Sequence, residues 1–288
     1  MGVFIQLILN SIIAAAIYAL VALGFNLIYG ATKFFNLAHG VVAAIGGYAV
    51  FYFAKTLGWN VYLAVTISVV LAGLVGYALE KLVYLPLRRK KASNMVLLVA
   101  SIGAFALLQA VIAILFTSQF QTLPQAAGGQ KLYMLPGGVI TQTQIIIILA
   151  GIVVMSGLAL TLKYASFGKA VRAISDDEEV ARIVGINTGK VIGYVFFIGS
   201  AIAGLAGILV GFDTGIEPTM GLGLLLKGVI ASIVGGVGNL YGGVLGALLL
   251  GFAENFGIWH IRGEWKDAIA FLLLIGFLIF RPRGIMGR

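Results

Sequence analysis

The chain has 288 residues, of which 61% are hydrophobic and only 10% charged, with a mean hydropathy of +1.08. A soluble domain carries about 25% charged residues, so the main solvent of this chain is lipid. Cysteine is absent, which excludes disulfides, thiolate metal sites and cysteine nucleophiles. The net charge of +9 falls in short basic blocks between apolar runs, the pattern of cytoplasmic loops rather than of a nucleic-acid surface.

A membrane span takes about 20 mostly apolar residues. The first, 4–29, lacks a basic leader and is too long for a signal peptide, so it reads as a retained membrane helix. A glycine-broken stretch, 39–55, follows. The next long run, 61–85, ends in Arg88-Arg89-Lys90-Lys91, which belongs in the cytoplasm. Segments 94–118 and 143–163 form an out-and-back pair. Their external loop, 119–142, holds Pro124, Pro136, Gly-Gly pairs and a single charge, Lys131. Beyond a charged interval come 191–211, the shorter 222–236 and 240–257, then 266–281 and a basic tail with Arg281, Arg283 and Arg288. Asp213, Glu217 and Pro218 fall on the external side. The expectation is an all-α polytopic membrane protein, one domain over 1–288. It has six long spans and up to nine transmembrane or re-entrant helices. Nine crossings place the N-terminus outside and the C-terminus inside, whereas a re-entrant 222–236 moves the N-terminus inside.

Glycine is abundant, 40 residues, which suits helices whose backbones approach closely. Two glycine-interrupted stretches echo each other: Gly24, Gly30, Asn36, Gly40 and Gly46-Gly47 in one, Gly221, Gly228, Gly235-Gly236 and Gly242-Gly243 in the other, each with one lysine, Lys33 or Lys227. Paired interrupted segments point to a transport site at a repeat interface.

The interval 163–190, KYASFGKAVRAISDDEEVARIVGINTGK, holds Asp176-Asp177-Glu178-Glu179, four of the ten acidic residues. Ser175 with Glu178 fits a capping box, the acids suit a helix N-terminus, Val180, Ala181 and Val184 share a face, and Gly185 suits a stop. These features predict a helix of about two turns that lies in the cytoplasm and docks a partner.

Polar residues in the apolar background are candidates for a passage. Asn36 and His39 stand one helical turn apart before a glycine-rich segment, whose N-terminal amides attract a carboxylate. Lys227 lies within LGLLLKGVIASIVGG, and a lysine deep in lipid costs roughly 2.5–3.5 kcal/mol. It must face water, a counter-charge or an interface. Glu254 and Asn255 are placed either to pair with it or to reach the interface.

Several motifs resemble one family. Glu179-Val180-Ala181-Arg182-Ile183-Val184-Gly185 resembles the EAA-x-x-x-G coupling loop of ABC importer permeases, with Val180 replacing the second alanine and the downstream Ile-x-Leu-Pro missing. Gly24-Phe25-Asn26-Leu27-Ile28-Tyr29-Gly30 and Asn36-Leu37-Ala38-His39-Gly40 resemble the GLxLIYG…NxAHG stretch of branched-chain amino-acid permeases. Phe167 to Ala173, Ala203 to Gly207, Pro218 to Gly243 and Arg281-Pro282-Arg283-Gly284 resemble further stretches of that family, in order. The resemblance, to the LivH type of permease, covers nearly the whole chain. It implies a bacterial inner-membrane permease that works by alternating access. Asn26, Asn36, His39 and Lys227 would lie along the substrate pathway, and Glu178, Glu179, Ala181, Arg182 and Gly185 in the contact with the motor. The implied partners are a second homologous permease, two cytoplasmic ATP-binding proteins and a periplasmic substrate-binding protein. The chain has no phosphate loop, paired-histidine metal motif or G-x-S-x-G element. It is therefore expected to hold no metal or cofactor and to catalyse nothing, with ATP hydrolysed by partner subunits. The alternatives are a permease for urea or short amides, and an ion-coupled secondary transporter, for which Glu80 and Glu254 are the few candidate acids near a span.

Overall fold

The computed structural model describes residues 2–124, 131–259 and 262–287. The loop glycines Gly128-Gly129 and the terminal Arg288 lie outside them. The first helix, α1 (Gly2–Thr32), breaks before α2 (Ala38–Val50), which continues as a π-helical turn, Phe51–Thr56. Next comes α3 (Val61–Leu79), continuous through a second π-helical turn, Glu80–Tyr84, into the short α4 (Leu85–Arg89). After α5 (Asn94–Phe116), a two-stranded hairpin, β1 (Leu132–Leu135) and β2 (Gly138–Thr141), precedes α6 (Gln142–Tyr164). Two short helices follow, α7 (Ser166–Asp176) and α8 (Glu178–Ile183). The chain ends with α9 (Thr188–Thr214), α10 (Met220–Gly235), α11 (Leu240–Gly257) and α12 (Lys266–Phe280).

Among the described residues, six helical stretches are long and apolar enough to cross a membrane: 3–32, 61–89, 94–116, 142–164, 188–214 and 240–257. The sorting differs at one place from the sequence expectation. The stretch 240–257 is a helix of 18 residues, whereas 266–281 forms a helix of 15 residues. At 1.5 Å per residue that is about 22 Å, short of a hydrocarbon core of roughly 30 Å. Helix α10, with 16 residues, is also short.

One end of the bundle gathers the basic blocks. There Arg88 approaches Glu178, Asn94 donates to the Lys33 carbonyl, and Asn239 donates to the Met286 carbonyl. At the other end Gln6 exchanges two hydrogen bonds with Val139, and Lys55 donates to the Thr122 carbonyl. The positive charge orients the first end to the cytoplasm. The hairpin lies in the external loop and had no counterpart in the sequence reading. Its register pairs Leu135 with Gly138, so Pro136-Gly137 is a two-residue turn. Proline presets the first turn position, and Gly137 has φ +94°, which a β-carbon would oppose.

The core is built where small residues let helix backbones meet. A β-carbon on Gly207 would collide with the Ala43 carbonyl, and one on Gly46 with the Gly204 carbonyl, so α2 and α9 pack backbone to backbone. With lipid-like tails outside, such contacts hold membrane helices together chiefly by van der Waals packing. Helices α1, α2, α9, α10 and α11 form this centre, while α5 and α6 expose most of their surface.

Candidate functional site

The charged interval folds as two helices rather than one. Ser175 lies within the last turn of α7 and caps nothing, because Asp177 leaves helical geometry (φ −156°, ψ 116°) and takes over as the N-cap of α8. Its Oδ1 accepts from the amides of Glu179 and Val180 at 2.8 and 3.0 Å. A carboxylate at this position both pairs free amides and faces the positive helix end, which makes it a better cap than the serine. The stop falls at Gly185. With φ +90° it lets its own amide reach the Arg182 carbonyl and the Ile186 amide reach the Ala181 carbonyl, a Schellman motif.

Within α8 only Ala181 is buried, in the same apolar cluster as Val171, Ile174 and Ile192. Val180, Ile183 and Val184 are 53%, 83% and 68% exposed. The shared apolar face expected for Val180, Ala181 and Val184 therefore divides: alanine anchors the helix, and three branched side chains face outward. Glu178 pairs with Arg182 at 3.1 Å, one helical turn on. Beside α8, a cavity of about 660 Å³ opens toward the end of α4 and the start of α9.

A buried polar connection leads inward from this face. Glu80 is fully buried and pairs with Arg88, whose other terminal nitrogen lies 3.9 Å from Glu178. Glu80 opens the π-helical turn that Tyr84 closes. The buried Tyr84 hydroxyl donates to Asn36 Oδ1 at 2.8 Å, in the break between α1 and α2. π-Helical turns inside α-helices often mark functional places. In the sequence Arg88 is legible only as a topological charge and Tyr84 carries no signal, because a buried ion pair across eight residues has no local signature.

The candidate pathway residues do not form one cluster. Asn36 and His39 flank the α1–α2 break and the start of α2. His39 is fully buried against Gly24 and Phe25, neither ring nitrogen makes an ordinary hydrogen bond, and the Val21 backbone lies nearby. Asn26 faces the other break: its Oδ1 accepts from the Gly238 amide at 2.9 Å and its Nδ2 donates to the Asn239 carbonyl at 3.2 Å. Lys227 sits elsewhere again, in a charge cluster joining four helices. It pairs with the fully buried Glu254 of α11 and lies 2.7 Å from Asp267 of α12. Glu254 also accepts from the Tyr18 hydroxyl of α1 at 2.6 Å and has Lys266 at 3.8 Å. Of the two placements left open for Glu254, the pairing is the one formed.

Comparison with known proteins places this arrangement. Residues 7–278 match the family model described as branched-chain amino acid transport system / permease component. Over 297 aligned residues the chain is 33% identical to the high-affinity branched-chain amino acid transport system permease protein BraD of Pseudomonas aeruginosa, covering 99% of this chain and 96% of that one. LivH of Escherichia coli gives the same identity and coverage, and the probable LivH of Methanocaldococcus jannaschii is 27% identical over 96% of this chain and 91% of its own. Among solved structures, PsaBC from Streptococcus pneumoniae in complex with Fab aligns over 95% of this chain and 91% of that chain with a TM-score of 0.53. At 14% identity that likeness concerns the fold alone. With the match running through nearly every helix, the chain belongs to the family of permease components of branched-chain amino acid transport systems.

Proposed function

We propose that this chain is the membrane-spanning permease of an ABC importer that carries branched-chain amino acids across the bacterial inner membrane. The observation that carries the reading is the family match over 7–278, with 33% identity across 99% of the chain to relatives named for that transport. In this reading a second homologous permease completes the passage, two cytoplasmic ATP-binding proteins drive it, and a periplasmic binding protein delivers the substrate. ATP is hydrolysed in those partners.

The motor would grip α8. Glu178, Glu179 and Arg182 supply its charged side, Ala181 seats it on the bundle, and Gly185 ends it. The exposure of Val180, Ile183 and Val184 supports this, since solvent-facing branched side chains on a six-residue helix favour a covered surface. Movement of α8 would pass through Glu178, Arg88 and Glu80 to the turn that ends at Tyr84, and so to Asn36. Asn36 and His39 would line the passage beside the first break. Asn26 and Lys227 would act on it by holding the neighbouring helices.

The test is uptake of labelled leucine in cells that lack their own high-affinity systems and express this chain with its partners. Saturable uptake competed by isoleucine and valine, and lost on ATP depletion, is expected. Uptake of urea with no leucine transport, or leucine uptake that survives ATP depletion, would overturn the reading.

A further inference from the structure

The cavity of about 660 Å³ on the basic end is walled by the end of α4, by α8 and by the N-terminus of α9. Its charged lining comprises Arg88, Arg89, Lys91 and Arg182 against Glu178 and Glu179. Two of these cations are already engaged: Arg182 with Glu178 at 3.1 Å, and Arg88 with the buried Glu80. Arg89 and Lys91 have no acidic partner within 4.0 Å among the described residues, and the buried Nε of Arg88 has no hydrogen-bond partner. The floor adds donors. Asn187 caps α9 by accepting from Lys190, which leaves the amides of Thr188 and Gly189 without a protein acceptor. A β-carbon at Gly189 would fit without a clash, in ordinary contact with Asn187 Oδ1 and Leu85 at 3.9 Å. The remaining wall is apolar, from Leu85 and Ile186.

Unpaired guanidinium and ammonium groups facing free helix-start amides match the acceptor oxygens of a phosphate. The place matches too, because the apolar stretch 61–89 ends here, at the basic end of the bundle that the charge distribution assigns to the cytoplasm. A cavity with cations on one side and Leu85 and Ile186 on the other fits an amphiphile with its headgroup inward. We propose that this cavity is a phosphate-group site, filled at the membrane surface by the headgroup of an anionic phospholipid. Basic residues at the cytoplasmic surface attract anionic lipid generally; the free helix-start amides in the same cavity as the exposed Arg89 and Lys91 are what make this a discrete site. It sits against α8, so its occupant would brace the helix that the transport reading assigns to the motor, but the binding itself does not depend on that reading.

Native mass spectrometry of the full-length chain in neutral detergent tests this, with dioctanoyl phosphatidylglycerol and inorganic phosphate titrated separately. A retained phosphatidylglycerol adduct is expected, with no adduct from dioctanoyl phosphatidylcholine. Arg89→Gln combined with Lys91→Gln should weaken binding at least tenfold. Gly189→Leu should do the same by filling the cavity at constant charge, and Lys90→Gln, outside the lining, should leave binding unchanged. Competition by phosphate would show that the phosphate group suffices; binding of the lipid without competition would assign the lipid itself. Both outcomes support the site, provided the variants keep their helical circular dichroism. The proposal fails if phosphatidylglycerol binds equally well to all three variants, or if phosphatidylcholine binds as tightly. It also fails if neither probe binds the native chain; if the double variant then loses its ATP-binding partner, the cavity is a protein contact instead. Loss of leucine uptake in the transport assay would leave all of these outcomes unaffected.

Discussion

Replacing Lys227 by methionine isolates the buried charge cluster. The substitution keeps the apolar stem but removes the partner of Glu254, whose side chain has no exposure. Breaking one side of a buried ion pair costs about 3–5 kcal/mol. Glu254 would retain the Tyr18 hydroxyl at 2.6 Å and Lys266 at 3.8 Å. Those partners reduce the expected loss to about 2–3 kcal/mol, roughly 30- to 150-fold in the unfolding equilibrium. Asp267 contributes little, because it is 77% exposed; Asp267→Asn should cost no more than about 1 kcal/mol. The informative variant is the double one, Lys227→Met with Glu254→Leu. With both charges gone it should recover most of the single-variant loss, giving a coupling energy of about 2 kcal/mol. Equilibrium unfolding in mixed micelles measures the native chain, Lys227→Met, Glu254→Leu, their double variant and Asp267→Asn, five proteins in all. A single-variant loss below about 1 kcal/mol, or a double variant equal to the sum of its parts, would show that the cluster is not a closed ion pair in solution.

Four further outcomes follow from the geometry. Gly185→Val forces a β-branched residue to φ +90° and should loosen the end of α8 by about 1–2 kcal/mol, lowering uptake per ATP hydrolysed without blocking insertion; unchanged uptake and unchanged ATPase would make α8 a mere connector. Asp177→Ala removes two amide contacts from α8 and should cost about 1 kcal/mol, read as faster amide exchange at Glu179 and Val180. Arg88→Met strands the buried Glu80 and should cost about 3 kcal/mol or more by micellar unfolding, whereas Glu80→Gln should cost less. Gly207→Ala drives a methyl into the Ala43 carbonyl and should prevent close packing of α2 on α9, while Gly103→Ala meets nothing within 4 Å and should be neutral or slightly stabilising, by up to about 1 kcal/mol, in the same assay.

What was legible in the sequence depended on how local its cause is. Spans are local, and their segments reappear as helices within a few residues. The stop at Gly185 was legible because only its backbone conformation matters. The start of α8 was misplaced because Ser175 and Asp177 are both good caps, and α7 continues through Ser175 to Asp176. That continuation depends on tertiary burial of Val171 and Ile174, which a cap motif does not encode. The segment 266–281 is a shorter helix than its apolar run suggests, because Lys266-Asp267 at its start serve the ion cluster and the helix stops at Phe280. The Glu80–Arg88 and Tyr84–Asn36 links join different elements and had no sequence pattern to reveal them.

The echo between the two glycine-interrupted stretches acquires a physical meaning from Asn26. Each stretch is a helix, a break and a second helix: α1 and α2 in the first, α10 and α11 in the second. Both breaks lie at the basic end, and the last turns of α1 meet the second break directly. Asn26 satisfies both the Gly238 amide and the Asn239 carbonyl, while Asn239 caps α11 through the Gly242 amide and reaches the Met286 carbonyl. One carboxamide therefore ties α1 to the turn that starts α11 and, through it, to the tail. A β-carbon on Gly243 would collide with the Asn26 side chain, so the glycine is what lets the carboxamide reach the turn. Any motion that tilts α1 at this end must carry the start of α11 with it or break two hydrogen bonds, each worth about 1 kcal/mol net. On the first break, Asn36 is held by Tyr84 and so by the turn beside Glu80 and Arg88. The two asparagines thus do different mechanical work: Asn26 joins the two broken pairs into one body, and Asn36 joins that body to the side that faces α8.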